Sequence, residues 1–136
     1  MAEPSCPKSV LVVDDDDSTR LVLGRALEGL GIEVTRAEDG AEVADVMAAK
    51  HFDLVVLDLY MAGMNGFEVL RRMRQPETGL LPAPLTSSTV PVLVISGESN
   101  PASIANAKAR GADAYLIKPL DLDTFETTVR ELLDAH

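Results

Sequence analysis

Short, continuous runs of apolar residues recur along the chain, and polar residues follow each of them. Four runs read VLVV, LVVL, VLVI and AYLI, at residues 10–13, 54–57, 92–95 and 114–117. Strands of a parallel sheet are covered on both faces, so they are apolar at nearly every position. The runs therefore predict buried strands, and a weaker run over residues 33–36 predicts one more.

Between these strands, apolar residues recur every three or four positions, which is typical of amphipathic helices. The first helix is predicted to begin at an N-cap formed by Asp17 or Ser18 and to stop at Gly31. Its predicted apolar face contains Val22, Leu23, Ala26, Leu27 and Leu30. The other helices are predicted over residues 41–50, 67–73, 102–110 and 122–133. The predicted apolar face of the last helix contains Leu122, Phe125, Val129, Leu132 and Leu133.

Alternation of strands and helices predicts an α/β fold of the (βα)5 type, a doubly wound parallel sheet with helices on both faces. Right-handed crossovers restrict the topology, and we expect the strand order 2-1-3-4-5. No internal repeat and no linker interrupt the pattern. We therefore expect residues 1–136 to form a single domain with its core at about residues 8–133.

One long connection does not fit this regular pattern. Residues 75–90, QPETGLLPAPLTSSTV, contain three prolines and show no period. Leu80, Leu81 and Leu85 are candidates for docking a partner, but the turn-forming composition favours an unstructured loop.

Composition and charge narrow the function classes. The net charge is −10, whereas direct nucleic-acid binding requires positive charge against the phosphates, so we expect no nucleic acid as a partner. No apolar run approaches the roughly 20 residues that cross a bilayer, so we expect no membrane contact. A single cysteine, Cys6, and the lack of a signal sequence favour a cytoplasmic location.

Five polar residues follow the predicted strands directly: Asp14, Asp15, Asp58, Ser96 and Lys118. The carboxyl ends of parallel strands share one edge of the sheet, where α/β proteins bind their ligands. The sequence therefore predicts one pocket that contains three carboxylates, a hydroxyl and an ammonium group. This set of groups suits a hard cation and a phosphoryl group.

Clustered carboxylates need compensating charge. Two of them about 5 Å apart repel by roughly 3 kcal/mol at an effective dielectric constant near 20. Lys118 offsets one charge, and a magnesium ion (Mg²⁺, or Mn²⁺) would offset two more. We expect Asp15 and Asp58 as direct ligands, with Asp14 acting through water and the Tyr60 carbonyl completing the set. An aspartate at a strand end also serves as a helix cap or as solvated surface, and we assign Asp16 and Asp17 to those roles.

Four segments in this order resemble the receiver domain of bacterial two-component response regulators, of the chemotaxis-regulator type. They are LVVDDDDSTR, VVLDLYMAGMNG, VISGES and GADAYLIKP, and the resemblance extends from about Lys8 to Leu133. The fold implied is flavodoxin-like. The function implied is signal transduction by a phosphoacceptor that assists its own phosphorylation and dephosphorylation, without a dedicated turnover activity.

The resemblance also implies a role for each matching residue. Asp58 would accept the phosphoryl group, while Ser96 and Lys118 would contact it. Asp14 and Asp15 would hold Mg²⁺ together with Asp58 and the Tyr60 carbonyl. The donor would be a sensor histidine kinase or a histidine phosphotransfer protein, and the output would reach a downstream effector protein.

Tyr115 and the fourth helix carry the implied switch. In this family an aromatic residue at the position of Tyr115 turns inward when Ser96 moves toward the phosphoryl group. The output surface would be helix 4, strand 5 and helix 5. Helix 4 has little apolar surface, which is typical of a segment of low local stability. From its position alone, Tyr115 is also compatible with an edge-strand aromatic that does not switch.

The segment after Asp58 departs from the family pattern. The usual M-P-x-M-D-G is replaced by Met61-Ala62-Gly63-Met64-Asn65-Gly66. Without the proline, the loop is less restricted in φ. We expect a changed phosphoryl lifetime, with Tyr60 and Glu98 controlling access of water.

Other interpretations compete with this one. Asp14, Ser96 and Lys118 resemble a haloacid-dehalogenase-like phosphatase in which Asp14 would be the nucleophile, but Asp58 then has no role. A flavodoxin-like nucleotide-binding module would place phosphate on a turn that here reads DDDD. A degenerate receiver that only docks partners conflicts with the complete set of polar residues. A receiver excised from a larger regulator or hybrid kinase has the same sequence pattern as a stand-alone one.

Overall fold

The computed structural model describes residues 8–59, 66–74 and 90–135, and these residues form five strands and five helices in strict alternation. The strands are β1 (Ser9–Val13), β2 (Glu33–Ala37), β3 (Leu54–Asp58), β4 (Val92–Ser96) and β5 (Ala114–Ile117). The helices are α1 (Asp17–Gly29), α2 (Gly40–Ala49), α3 (Gly66–Arg74), α4 (Pro101–Ala109) and α5 (Leu122–Ala135). All strand pairs are parallel, and the order is β2-β1-β3-β4-β5. The predicted fold class and strand order are confirmed.

The two faces of the sheet carry two separate apolar cores. Leu11 and Val13 of β1 belong to the core that includes buried residues of α2, α3 and α4. Val10 and Val12 alternate with them and belong to the core under α1 and α5, in which Phe125 is the largest side chain. Because successive side chains of a strand point to opposite faces, a continuous apolar run fills both cores.

The start of α1 differs from the sequence prediction. The N-cap is Asp16 rather than Asp17 or Ser18, and its carboxylate accepts a hydrogen bond of 3.0 Å from the backbone N–H of Thr19. Asp16 is the last residue with an extended backbone before the helix, so its side chain is the one that reaches the free N–H groups. The predicted end is confirmed, because Gly31 follows the helix with a φ of 80°.

Two residues of the predicted apolar faces lie outside the cores. Val22 of α1 is 48% exposed and Leu122 of α5 is 40% exposed. Leu23 and Leu27, and Phe125 and Val129, supply the buried positions of these helices instead. Periodicity located both helices correctly but included one exposed residue in each predicted apolar face.

The carboxyl ends of the central strands lie together. Asp14 follows β1 directly, Asp58 ends β3, and Ser96 ends β4. In the register, Asp58 lies opposite Ile95 of β4, and Ser96 lies opposite Ile117, the residue before Lys118. The parallel topology therefore brings the predicted site residues to one edge.

Among the described residues, no helix has the length and apolar character needed to cross a membrane.

Candidate functional site

Three carboxylates converge at the ends of β1 and β3. The Asp14 side chain is fully buried and Asp58 is 4% exposed, while Asp15 faces solvent. One oxygen from each of the three carboxylates lies within 4.8 Å of the other two. The sheet order causes this convergence, since β1 and β3 are neighbours and both end at this edge.

Lys118 brings a positive charge to this group of acids. Its Nζ lies 3.0 Å from Asp14 Oδ2 and 3.4 Å from Asp58 Oδ2. The backbone N–H of Lys118 donates to the Ser96 carbonyl at 2.8 Å, which ties the end of β5 to the end of β4. The peptide bond from Lys118 to Pro119 is cis.

The environment of Lys118 favours its charged form. Burial alone opposes that form, but the hydrogen bond to Asp14 and the negative charges of Asp14 and Asp58 outweigh burial. Together they raise the pKa of the Lys118 ammonium group. The lysine is therefore a permanent cation at neutral pH and balances one of the three negative charges.

Ser96 lies fully buried at the end of β4. Its Oγ accepts a hydrogen bond of 3.0 Å from the backbone N–H of Glu98. A hydroxyl that accepts a bond still carries its own proton to donate. Beside it, Asp58, Gly97, Glu98 and Lys118 line an open cleft of about 490 Å³. A carboxylate and an ammonium group thus face a cleft with room for a phosphoryl group.

Tyr115 lies next to this cleft on β5. Its side chain is partly buried, and its hydroxyl donates a hydrogen bond of 2.7 Å to the Glu98 carbonyl. The bond joins β5 to the turn that follows Ser96. Tyr115 therefore touches the segment that would move if Ser96 were drawn toward a ligand at Asp58.

Two residues near the acids were missed by the sequence analysis. Nη1 of Arg20 donates a hydrogen bond of 2.6 Å to the Asp14 carbonyl. Gly66 lies against the chain around Asp58, because a Cβ built there would lie 2.4 Å from the Asp58 carbonyl oxygen. The glycine that ends the MAGMNG segment was a signal for such close approach, whereas the contact of Arg20 left no signal in the sequence.

The donor set fits a small divalent cation. In an octahedron with Mg–O distances of 2.0–2.1 Å, opposite oxygens are about 4.1 Å apart. The three carboxylate oxygens lie within 4.8 Å of one another, which is close enough for them to surround one such cation. Both Asp14 oxygens already accept hydrogen bonds, from the Asp16 N–H at 2.9 Å and from Lys118. These bonds are compatible with the indirect role expected for Asp14, which stays a prediction.

Other predicted and acidic residues do not add to this site. Tyr60, residues 61–65 and residues 75–89 lie outside the described residues, so the expectations about them stay predictions. A second acidic group, Glu38, Asp39 and Glu42, is explained by the start of α2. The Asp39 carboxylate caps the Glu42 N–H at 2.9 Å, and the Glu42 carboxylate accepts from the Glu38 N–H at 2.9 Å.

The fold and this edge define a class: a parallel (βα)5 domain whose strand ends hold acids, a hydroxyl and a lysine. The family model described as response regulator receiver domain matches residues 10–130. The chain belongs to this family, which serves two-component signalling. The family match also favours the receiver interpretation over the phosphatase one, and receiver domains are not in general dedicated enzymes.

Known proteins agree with this assignment. The chain is 39% identical over 127 residues to the DNA-binding transcriptional regulator NtrC of Escherichia coli (strain K12), which covers 93% of this chain and 25% of NtrC. It is 35% identical over 111 residues to the sensory/regulatory protein RpfC of Xanthomonas campestris pv. campestris, covering 82% of this chain and 14% of RpfC. The chain thus spans a quarter or less of these relatives.

A solved structure has the same fold along nearly its whole length. The chemotaxis protein CheY4 of Vibrio cholerae matches with a TM-score of 0.78 and 29% sequence identity. The match covers 93% of this chain and 99% of that chain. The receiver fold therefore accounts for almost all of the sequence.

Proposed function

We propose that this receiver accepts a phosphoryl group on the carboxylate of Asp58 and signals through protein–protein contact. The observation that carries the proposal is the placement of Asp58 in the wall of the open cleft, beside Lys118 and within 4.8 Å of two further acids. A carboxylate in a cleft with a fixed cation is a nucleophile that needs only positioning and charge compensation.

In the transfer step, an Asp58 oxygen attacks phosphorus in line with the leaving group. The bond from this oxygen to phosphorus forms while the P–N bond of a donor phosphohistidine breaks, and the imidazole leaves with the electron pair. Lys118, 3.4 Å from Asp58, compensates charge on the phosphoryl oxygens. The Ser96 hydroxyl supplies a hydrogen-bond donor on the β4 side of the cleft.

Asp15 and Asp58 would bind Mg²⁺ directly, with Asp14 oriented toward it through water. The metal would supply positive charge against the phosphoryl oxygens. Receiver domains in general use Mg²⁺ at this edge for that purpose. The three acids carry three negative charges, and Lys118 together with one divalent cation neutralises them. Participation of the Tyr60 carbonyl stays a prediction.

The new negative charge on Asp58 would then be sensed by the β4–β5 edge. The Ser96 hydroxyl would move toward the new charge. The turn at Glu98, to which Tyr115 is hydrogen-bonded, would move with it. The surface of α4, β5 and α5 would pass the change to a downstream effector. Unchanged NMR shifts of the Tyr115 ring after phosphorylation would contradict this coupling.

The donor would be a sensor histidine kinase or a histidine phosphotransfer protein. NtrC and RpfC contain the matched region within much longer chains, which fits a module of a larger regulator. The match to 99% of the CheY4 chain fits a stand-alone receiver. A single domain over residues 1–136 and a cytoplasmic location stay predictions.

Intact-mass analysis after incubation with acetyl phosphate and Mg²⁺ tests the proposal. We expect one phosphate adduct on the wild-type protein, none on Asp58→Asn, and none on the wild type with a chelator. Asp45→Asn is the control, because Asp45 is an exposed acid of α2 and lies outside the proposed set. An adduct that persists in Asp58→Asn at the wild-type yield would refute the assignment.

A further inference from the structure

Arg20 reaches from α1 to the turn that carries two of the clustered acids. It lies in the first turn of the helix, and its side chain is only 13% exposed. Nη1 donates to the Asp14 carbonyl at 2.6 Å. This carbonyl belongs to the peptide that joins Asp14 to Asp15, so the arginine contacts the backbone between the two carboxylates.

The same guanidinium group is held from its other side. Nη2 forms an ion pair with Asp17 and lies 3.7 Å from a Glu38 oxygen. Because guanidinium is planar and rigid, fixing Nη2 also fixes the direction in which Nη1 points. Arg20 is thus a braced donor rather than a flexible surface charge.

Other contacts hold Asp14 itself, and among them Lys118 Nζ lies 3.0 Å from Asp14 Oδ2. The Asp14 N–H donates to the Ala37 carbonyl at 3.2 Å, and Asp14 Oδ1 accepts from the nearby Asp16 N–H. Arg20 adds a side-chain hydrogen bond to the carbonyl of the Asp14–Asp15 peptide, and this bond restrains the orientation of that peptide. Rotation of this peptide would swing Asp15 away from Asp58.

Coulomb attraction to Asp17 and Glu38 accounts for the placement of the guanidinium, but the same charge cannot strengthen a cation site. A positive charge beside a cation site repels the cation and weakens its binding. Asp17 and Glu38 lie beside the guanidinium and offset part of that charge. The arginine therefore orients the acids, although its positive charge weakens the attraction between the site and the metal.

We propose that Arg20 is a positioning residue of the magnesium site, which acts on the metal through the Asp14–Asp15 peptide. This inference rests on the metal site of the proposed function. Loss of a residue that orients metal ligands typically weakens metal affinity by 10–100-fold. A pure charge effect has the opposite sign, so the direction of the change separates the two explanations.

Calorimetric titration with Mg²⁺ alone tests this inference without any phosphoryl transfer. We expect Arg20→Gln to raise the Kd at least tenfold over the wild type. Arg20→Lys should lie between them, because it keeps the charge but lacks the forked donor. Arg25→Gln is the matched control: it removes the same charge from an exposed position of the same helix, and we expect a slightly lower Kd.

Each outcome decides a separate question. An Arg20→Gln protein that is folded by circular dichroism and binds Mg²⁺ as tightly as the wild type, or more tightly, overturns the inference and leaves the phosphoacceptor proposal standing. A wild-type protein that binds no Mg²⁺ refutes the proposed function itself. If Arg20→Gln does not fold, Arg20→Lys decides, since a wild-type Kd in that variant overturns the positioning role.

Discussion

The centre of the sheet and its β5 edge are built differently, although both contribute to one site. Strands β1, β3 and β4 are buried at every position, whereas β5 has no fully buried residue. The adjoining helix α4 buries only Ala107. Asp14, Asp58 and Ser96 come from the centre, and Lys118 and Tyr115 come from the edge.

This difference indicates which part of the site is fixed and which part can respond. Acids at the ends of fully buried strands keep their positions, since moving them would disturb both cores. Segments with few buried apolar contacts open at lower free energy. A charge placed on Asp58 is therefore expected to shift the α4–β5 side and to leave the β1–β3 side in place.

Truncation of the core gives the largest expected contrast. Leu11 of β1 is fully buried, and Leu11→Ala should lower the free energy of unfolding by about 2–5 kcal/mol. Leu116 of β5 is only partly buried, so Leu116→Ala should cost clearly less. Urea denaturation of both variants measures the difference, and equal losses would contradict the contrast between centre and edge.

Gly66→Ala tests how tightly the chain is packed behind Asp58. The added Cβ would meet the Asp58 carbonyl oxygen at 2.4 Å and Leu59 Cα at 2.5 Å. Because both neighbours are backbone atoms, we expect a loss of about 1–3 kcal/mol in unfolding free energy and slower labelling by acetyl phosphate. Gly29→Ala is the control, since nothing lies within 4 Å of a Cβ there. A Gly66→Ala protein with wild-type stability and labelling would show that this contact does not constrain Asp58.

The N-cap of α4 offers a smaller and more local effect. The Asn100 side chain accepts from the Ala102 N–H at 2.8 Å, and Asn100→Ala should cost about 0.5–2 kcal/mol. In this variant, the rate of native-state hydrogen exchange should rise more in α4 than in β1 or β3. Asn100→Asp should retain most of the cap, so equal exchange in both variants would disprove the role of the side chain.

The pH dependence of the Lys118 contacts is the smallest predicted effect. The pKa of Lys118 is raised above its usual value of 10.5, so its contribution to stability is complete below that value. The contribution should be lost as the pH rises through the raised pKa. The stability difference between wild type and Lys118→Met, measured in urea with a chelator present, should therefore be constant from pH 7 to 9 and shrink above pH 10.5. A difference that grows with pH over that upper range would have the wrong sign.

Much of this site was predictable because its residues sit at positions that topology controls. Once the runs ending at Asp14, Asp58 and Ser96 are recognised as parallel strands, their ends must meet at one edge. The four segments of the receiver resemblance fixed the order and the identity of the residues. For these reasons the class of protein could be inferred from the amino-acid sequence alone.

Contacts between side chain and backbone were not predictable in the same way. Four consecutive aspartates follow β1, and each can cap a helix, so the choice of Asp16 depended on where the backbone turns. The bond from Arg20 to the Asp14 carbonyl depends on a long side chain folding back over the turn. Periodicity also left the stripe edges open, which explains why Val22 and Leu122 were wrongly assigned to the cores.

The hydrogen bond of Tyr115 has a practical consequence for optical work. The chain contains two tyrosines and no tryptophan, so tyrosine emission can be recorded from the unlabelled protein. One of the two, Tyr115, is bonded to the turn after Ser96, and the other, Tyr60, is two residues from Asp58 in sequence. A Tyr60→Phe protein would therefore have a single tyrosine, hydrogen-bonded to the segment whose movement matters most.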